Sequence, residues 1–184
     1  MVSSLIEKAA SIAAKAHIKQ LRKHNSAPYI VHPFMVSRIL TENGFRDEVI
    51  AAGLVHDVLE DTDVTREELI SELGEEIVSI VDGLSEDKSK DISWEDRKRG
   101  YIEKVRNGND DVKAVSCADK VHNMTNLLQA YKEVGESLWE GFSKPKAEKL
   151  WFEREVLKMF DEEGFSHQMV EEYRKLVEEF EATG

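Results

Sequence analysis

The segment Val49-Ile50-Ala51-Ala52-Gly53-Leu54-Val55 is apolar on nearly every side, and it runs without a break into His56-Asp57-Val58-Leu59-Glu60-Asp61. A helix with no polar face belongs in the core of its fold. Four ionisable side chains at the end of such a helix are costly to bury unless a partner residue or a metal ion compensates them. The spacing puts Glu60 one turn from His56 and Asp57, and Asp61 one turn from Asp57, which gathers the polar atoms toward one mouth of the helix. Taken alone, this segment is evenly balanced between a site and a salt-bridged helix end, because His-Asp pairs are common by chance.

The rest of the chain reads as helical. Its 184 residues hold 10 glycines and three prolines, and no segment shows the strict alternation of a strand set. We expect an all-α fold, a single helical bundle of about nine helices over residues 1–184, with no linker that would divide it. Ser4 and Glu7 make a capping box ahead of a helix through residue 23, with Leu5, Ala9, Ile12, Ala13, Ala16 and Leu21 as its buried stripe. A turn follows at 24–27. Pro33 opens a second helix that stops at Gly44, and Asp47 caps the apolar third. Thr65 and Glu68 form another capping box before a short helix ending at Gly74, and 75–84 is again helical. An exposed loop is expected over 85–93, then helices over 94–106, 111–130, 144–163 and 166–179. Trp94, Trp139 and Trp151 stand at helical spacing among apolar neighbours and are assigned to packing.

Charge and cysteine content narrow the function. With 25 basic and 37 acidic residues the net charge is −12, which excludes the extended basic face that sequence-independent nucleic-acid binding needs. An anionic substrate would therefore need a local positive site. No apolar run approaches the ~20 residues of a membrane span and the N-terminus lacks a secretory pattern, so a cytoplasmic protein that engages no membrane is expected. A single cysteine, Cys117, rules out an internal disulfide framework or a multi-cysteine zinc site. In V-S-C-A-D it fits a small buried apolar residue better than a reactive thiol.

Two further segments change the reading of 54–61. Pro28-Tyr29-Ile30-Val31-His32-Pro33 places a histidine at the entry to a helix, with the backbone restricted by prolines on either side. Cys117-Ala118-Asp119-Lys120-Val121-His122-Asn123-Met124-Thr125-Asn126 sets Asp119 and Asn123 on one helical face, with Asn126 one turn on. His32, His56, Asp57 and Asp119 together supply two imidazoles and two carboxylates without a thiolate. That donor set suits manganese or iron, with zinc as an alternative, and leaves positions for water and a phosphate oxygen. Glu60 and Asp61 would then orient water or exchange protons with it and with the leaving group.

The ordered blocks A-H-I-K-Q-L-R-K, P-Y-I-V-H-P, H-D-V-L-E-D-T and A-D-K-V-H-N-M, from about residue 17 to 126, resemble the HD-domain alarmone hydrolases. These are the hydrolase half of Rel/SpoT-type enzymes and the single-domain small alarmone hydrolases, the metazoan SpoT homologue among them. The resemblance implies His32, His56, Asp57 and Asp119 as metal ligands, usually for manganese, and Glu60 and Asp61 as the catalytic carboxylates. It implies removal of the 3′-pyrophosphate from guanosine tetra- and pentaphosphate, giving GDP or GTP and pyrophosphate, with no covalent enzyme intermediate. Arg22 and Lys23 match the family's pocket R-K pair, and Asn123 matches its site asparagine. Asn126 is a further candidate substrate contact, at a position where relatives carry threonine or aspartate.

Lys98, within Arg97-Lys98-Arg99, and Lys88 would add positive charge near the trailing phosphates, with a solvated basic face as the alternative. His17 fits the family's A-H block as a structural histidine, and His24, His122 and His167 are expected to face solvent or pack locally. Two departures fall where the base or 5′ phosphates would be met. Lys19 stands where the family often has glycine, and the connection 24–27 has a length of its own. The chain is too short for a synthetase domain, so hydrolysis without synthesis is expected of it. The rival readings are the same site acting on NADPH or a nucleoside monophosphate, a nucleotide-binding module without hydrolysis, and a purely structural helical protein. A small-molecule nucleotide is the expected partner; oligomeric state is not legible.

Overall fold

The computed structural model describes residues 3–22, 27–86 and 91–183. Among these it contains ten α-helices and no strand, as the all-α reading requires. They are α1 (Ser4–Ala16), α2 (Val31–Glu42), α3 (Asp47–Val55), the single turn α4 (Val58–Asp61), α5 (Arg66–Leu73), α6 (Glu75–Asp82), α7 (Trp94–Asn107), α8 (Asp110–Val134), α9 (Lys146–Glu162) and α10 (Gln168–Glu181). A 3₁₀ segment, Gly135–Gly141, joins α8 to α9.

The apolar helix α3 is the hub. Every residue from Val49 to Val55 is buried, and α3 packs against α1, α2, α6 and α8. Gly53 lets α2 come close, because a Cβ there would lie 2.6 Å from Leu40 Cδ1. The Thr65–Glu68 capping box forms with both of its hydrogen bonds, and Gly74 at φ +89° ends α5 as expected. Ser93 caps α7 by accepting from Asp96 N, and Asn109 caps α8 by accepting from Val112 N. At the other end of the bundle α10 lies against α8 and α9, with Phe152, Phe160, Tyr173 and Phe180 fully buried. Trp94 packs 6.0 Å from Trp151, and Trp139 packs 5.8 Å from Phe180. Cys117 is buried, and that burial pushes its thiol well above the usual range.

Some local expectations fail. The first helix stops at Ala16 instead of continuing through residue 23, because residues 20–22 pair with residues 27–29. Arg22 N donates to Ala27 O at 2.8 Å, Tyr29 N donates to Gln20 O at 2.9 Å, and Leu21 faces Pro28 across an isolated bridge. Leu21, expected in the buried stripe, is 58% exposed as a result. Ser3 rather than Ser4 precedes α1, and no side-chain cap forms there. The chemistry-bearing helix breaks at His56–Asp57, where Asp57 takes φ −95° and ψ −5° and ends up between α3 and α4. Lys23, His24 and Lys88 lie outside the described residues.

Candidate metal and catalytic site

His32 sits in the first turn of α2, His56 and Asp57 in the break between α3 and α4, and Asp119 in the middle of α8. The crossing of these helices brings their polar ends together. His32 Nε2 is 3.1 Å from Asp119 Oδ1 and 3.6 Å from Asp57 Oδ2. His56 Nε2 is 3.1 Å from Asp57 Oδ2 and 3.7 Å from Asp119 Oδ1. One donor atom from each of His32, His56 and Asp119 lies within 4.8 Å of the other two.

The tautomer of His56 tests whether these residues suit a cation. Its Nδ1 is 2.9 Å from Gly53 O, a carbonyl that can only accept, so Nδ1 carries the proton. Nε2 is therefore the nitrogen left to face inward between the two carboxylates, and it is buried without a hydrogen-bond partner. Such an orphaned nitrogen between two carboxylates fits a divalent cation.

Electrostatics agree. Burial pushes the Asp57 carboxyl up, but the neighbouring His56 imidazole, with His32 beyond, outweighs it and holds the group well below the carboxylate range. Asp119 is held low in the same way, against burial, by Lys120 and the two histidines. His56 is raised against its own burial by Asp57 and Asp119, so without an ion the two carboxylates favour a proton at its inward nitrogen, the place a cation would take. Tyr29 O–H donates to Asp57 Oδ2 at 2.6 Å, and burial followed by the Asp57 charge drives its own pKa far up. Tyr29 thus stays protonated and pins the carboxylate.

The cluster opens on a cavity of about 180 Å³ whose wall includes Tyr29, Glu60, Lys98, Lys120, Lys149 and Phe152. The three ammonium groups ring the face of Phe152, at 4.7 Å for Lys98, 5.2 Å for Lys120 and 5.6 Å for Lys149. Each is matched by a carboxylate: Lys98 by Glu86, Lys120 by Asp119 at 2.8 Å, and Lys149 by Glu153. Burial, together with Lys120 and Lys149, outweighs Glu86 and lowers the Lys98 pKa. Three lysines thus face the cavity of a chain of net charge −12, each held there by a carboxylate partner. A larger groove of about 640 Å³, bordered by Arg46, Glu76 and Asp111, contains none of these groups.

The other expected residues take different places. Glu60 is on the cavity wall, its Oε2 accepting from Glu86 N at 3.0 Å. Asp61 is exposed, with Oδ2 3.4 Å from Gln20 Nε2. Asn123 lines the cavity and donates from Nδ2 to Asp119 Oδ1 at 2.6 Å. Arg22 lies over Tyr29, its guanidinium carbon 5.8 Å from the ring centroid. Of the 97–99 basic trio only Lys98 lines the cavity, while Arg97 pairs with Glu86 and Arg99 with Glu95. Asn126 reaches back to His122 instead, with Nδ2 2.8 Å from His122 Nε2.

His122 is buried, and burial followed by the nearby His32 and Arg22 charges lowers its pKa to about 4. His17 packs 4.8 Å from Tyr29, the structural part expected of it. Sequence reading passed over Tyr29, Lys120 and Lys149. The first two stand inside the blocks P-Y-I-V-H-P and A-D-K, whereas nothing local marks Lys149.

A model of the HD domain matches residues 9–143, and the chain belongs to the HD domain family. Among its relatives is the Xenopus tropicalis protein MESH1, named a guanosine-3′,5′-bis(diphosphate) 3′-pyrophosphohydrolase. It is 37% identical over 134 residues, 71% of this chain and 74% of that protein. Human MESH1, of the same name, is 38% identical over 128 residues, 68% of this chain and 70% of its own length. Among solved structures, lmo0812 from Listeria monocytogenes EGD-e superposes with a TM-score of 0.71 at 37% identity, covering 79% of this chain and 96% of that one. A structure described as a metazoan ortholog of SpoT that hydrolyzes ppGpp reaches a TM-score of 0.83 over 97% of both chains; at 24% identity it speaks for the fold.

Proposed function

We propose that the protein is a metal-dependent hydrolase of guanosine 3′,5′-bis(diphosphate) and the corresponding pentaphosphate, releasing pyrophosphate from the 3′ position and leaving GDP or GTP. The observation that carries this reading is the inward, unpartnered Nε2 of His56 between Asp57 and Asp119 on a lysine-walled cavity. The names of the 37–38% identical relatives support the substrate. Residues 1–184 would act as one HD-type domain, a reading supported by a single hydrophobic cluster that runs from Ala9 to Phe180.

His32, His56, Asp57 and Asp119 would hold the ion, manganese by preference because imidazoles and carboxylates without thiolate suit it, with iron or zinc as alternatives. When bound, a divalent ion supplies Lewis-acid polarisation of phosphoryl oxygen and a water of lowered pKa. Tyr29 fixes the Asp57 carboxylate, and Asn123 and Lys120 fix that of Asp119. Lys98, Lys120 and Lys149 offset the charge of the phosphates. Glu60, on the cavity wall, is placed to take a proton from the attacking water. The new bond joins water oxygen to the phosphorus on the ribose 3′ oxygen, the bond from that phosphorus to the ribose oxygen breaks, and a proton finishes on the ribose. Asp61, exposed beside Gln20, would serve proton exchange, and Arg22, over Tyr29, nucleotide positioning.

A substrate screen with manganese, reporting pyrophosphate and orthophosphate separately, tests the reading. Pyrophosphate released from the guanosine tetraphosphate is the expected result. Faster orthophosphate release from NADPH or a nucleoside monophosphate would displace it.

A further inference from the structure

The two histidines of the cluster are held differently at their outer nitrogens. His56 Nδ1 faces the Gly53 carbonyl, which settles its proton. His32 Nδ1 faces His122 Nδ1 at 2.6 Å, in rings stacked with centroids 4.9 Å apart. An imidazole can give or accept, so one of these two nitrogens carries a proton and the other does not.

Asn126 decides which. Its Nδ2 lies 2.8 Å from His122 O and also 2.8 Å from His122 Nε2. An amide oxygen placed there would repel the carbonyl, so the amide N–H groups face both acceptors. His122 Nε2 is then bare, His122 Nδ1–H donates to His32 Nδ1, and His32 keeps its proton on Nε2, 3.1 Å from Asp119 Oδ1. A cation at the cluster needs the reverse order: His32 Nε2 bare, Nδ1–H donating to His122, and His122 Nε2–H donating to an acceptor at position 126. Both orders hold the same protons. Asn126 can supply that acceptor only by turning its amide over, which sacrifices the bond to His122 O.

We propose that His122 and Asn126 form an outer relay that selects which ring nitrogen of His32 carries the proton, so that the side chain at position 126 tunes how tightly the cluster holds a divalent cation. This rests on the metal-site reading above. Both are positioning residues, acting through His32. Outer partners of this kind typically change metal affinity by about 10–100-fold.

Chelator competition for Mn²⁺ and Zn²⁺, with imidazole ¹⁵N spectra of the metal-free and Zn²⁺-loaded protein, tests the relay. Asn126→Asp gives up the bond to His122 O with and without metal, so its carboxylate accepts from His122 Nε2–H at no added cost on binding, and it should bind about tenfold more tightly. Its metal-free spectrum should already show the His122 proton on Nε2. His122→Phe, which removes the partner of His32 Nδ1, should bind about tenfold or more weakly while circular dichroism stays native. Thr125→Asp adds the same charge at an exposed neighbour and should leave affinity unchanged. Equal affinity across wild type, Asn126→Asp and His122→Phe would overturn the proposal, as would tightening by Thr125→Asp equal to that by Asn126→Asp. A wild type that binds neither ion would overturn the metal-site reading and the relay with it.

Discussion

Two groups of buried charge share this core, and they end differently. Around Glu153 on α9, one fully buried carboxylate is met by the Tyr173 hydroxyl, which donates to Oε2, and by the Lys149 ammonium at Oε1. Burial pushes the Glu153 carboxyl up, but Lys149 and Lys120 outweigh it and hold it below the ordinary value. Opposite charges face each other and pair directly. At His32, His56, Asp57 and Asp119, four groups that can each give a lone pair to a cation converge instead, with a cavity beside them. Buried charge alone does not mark a site; convergence of like donors on open space does. Lys149 belongs to both groups, so the self-satisfied one anchors a wall of the other.

The comparison breaks first at Asp57. Asp57→Ala should abolish metal binding, read by equilibrium dialysis, and turnover with it, by on the order of 10³-fold or more. Retained stoichiometric metal would remove Asp57 from the set of ligands. Glu60→Gln should keep the metal yet lose about 10²–10⁴ of the rate, and full activity would remove Glu60 from the chemistry.

Glu153→Gln should act on stability, costing about 3 kcal/mol by denaturant titration, because it leaves Lys149 and Lys120 facing a neutral partner. Its pH dependence has a definite sign. A carboxyl held below its ordinary 4.5 stabilises the fold above that pH, and the contribution is lost as pH falls through the lowered value. Wild type should therefore lose stability on acidification below that range, and Glu153→Gln should show a shallower acid limb in thermal melts. Thr65→Ala, which removes the α5 cap, should cost about 1 kcal/mol and leave metal affinity untouched.

Helical class, the capping box at Thr65 and the burial of α3 could all be read from the order of residues, because periodicity and end chemistry are local. So could the oddity of His56, Asp57 and Asp119 in apolar surroundings. Where the first helix stops could not, since Leu21 pairs with Pro28 and that backbone pairing competes with helix propensity. Neither could the part played by His122, which one turn of α8 places against a ring from α2, nor that of Lys149, which reaches the cavity only because α9 packs along α7. Periodicity tells which face of a helix is buried. What that face meets depends on how the helices cross, and in this protein the crossing of α2, α3 and α8 turned separate polar residues into one site.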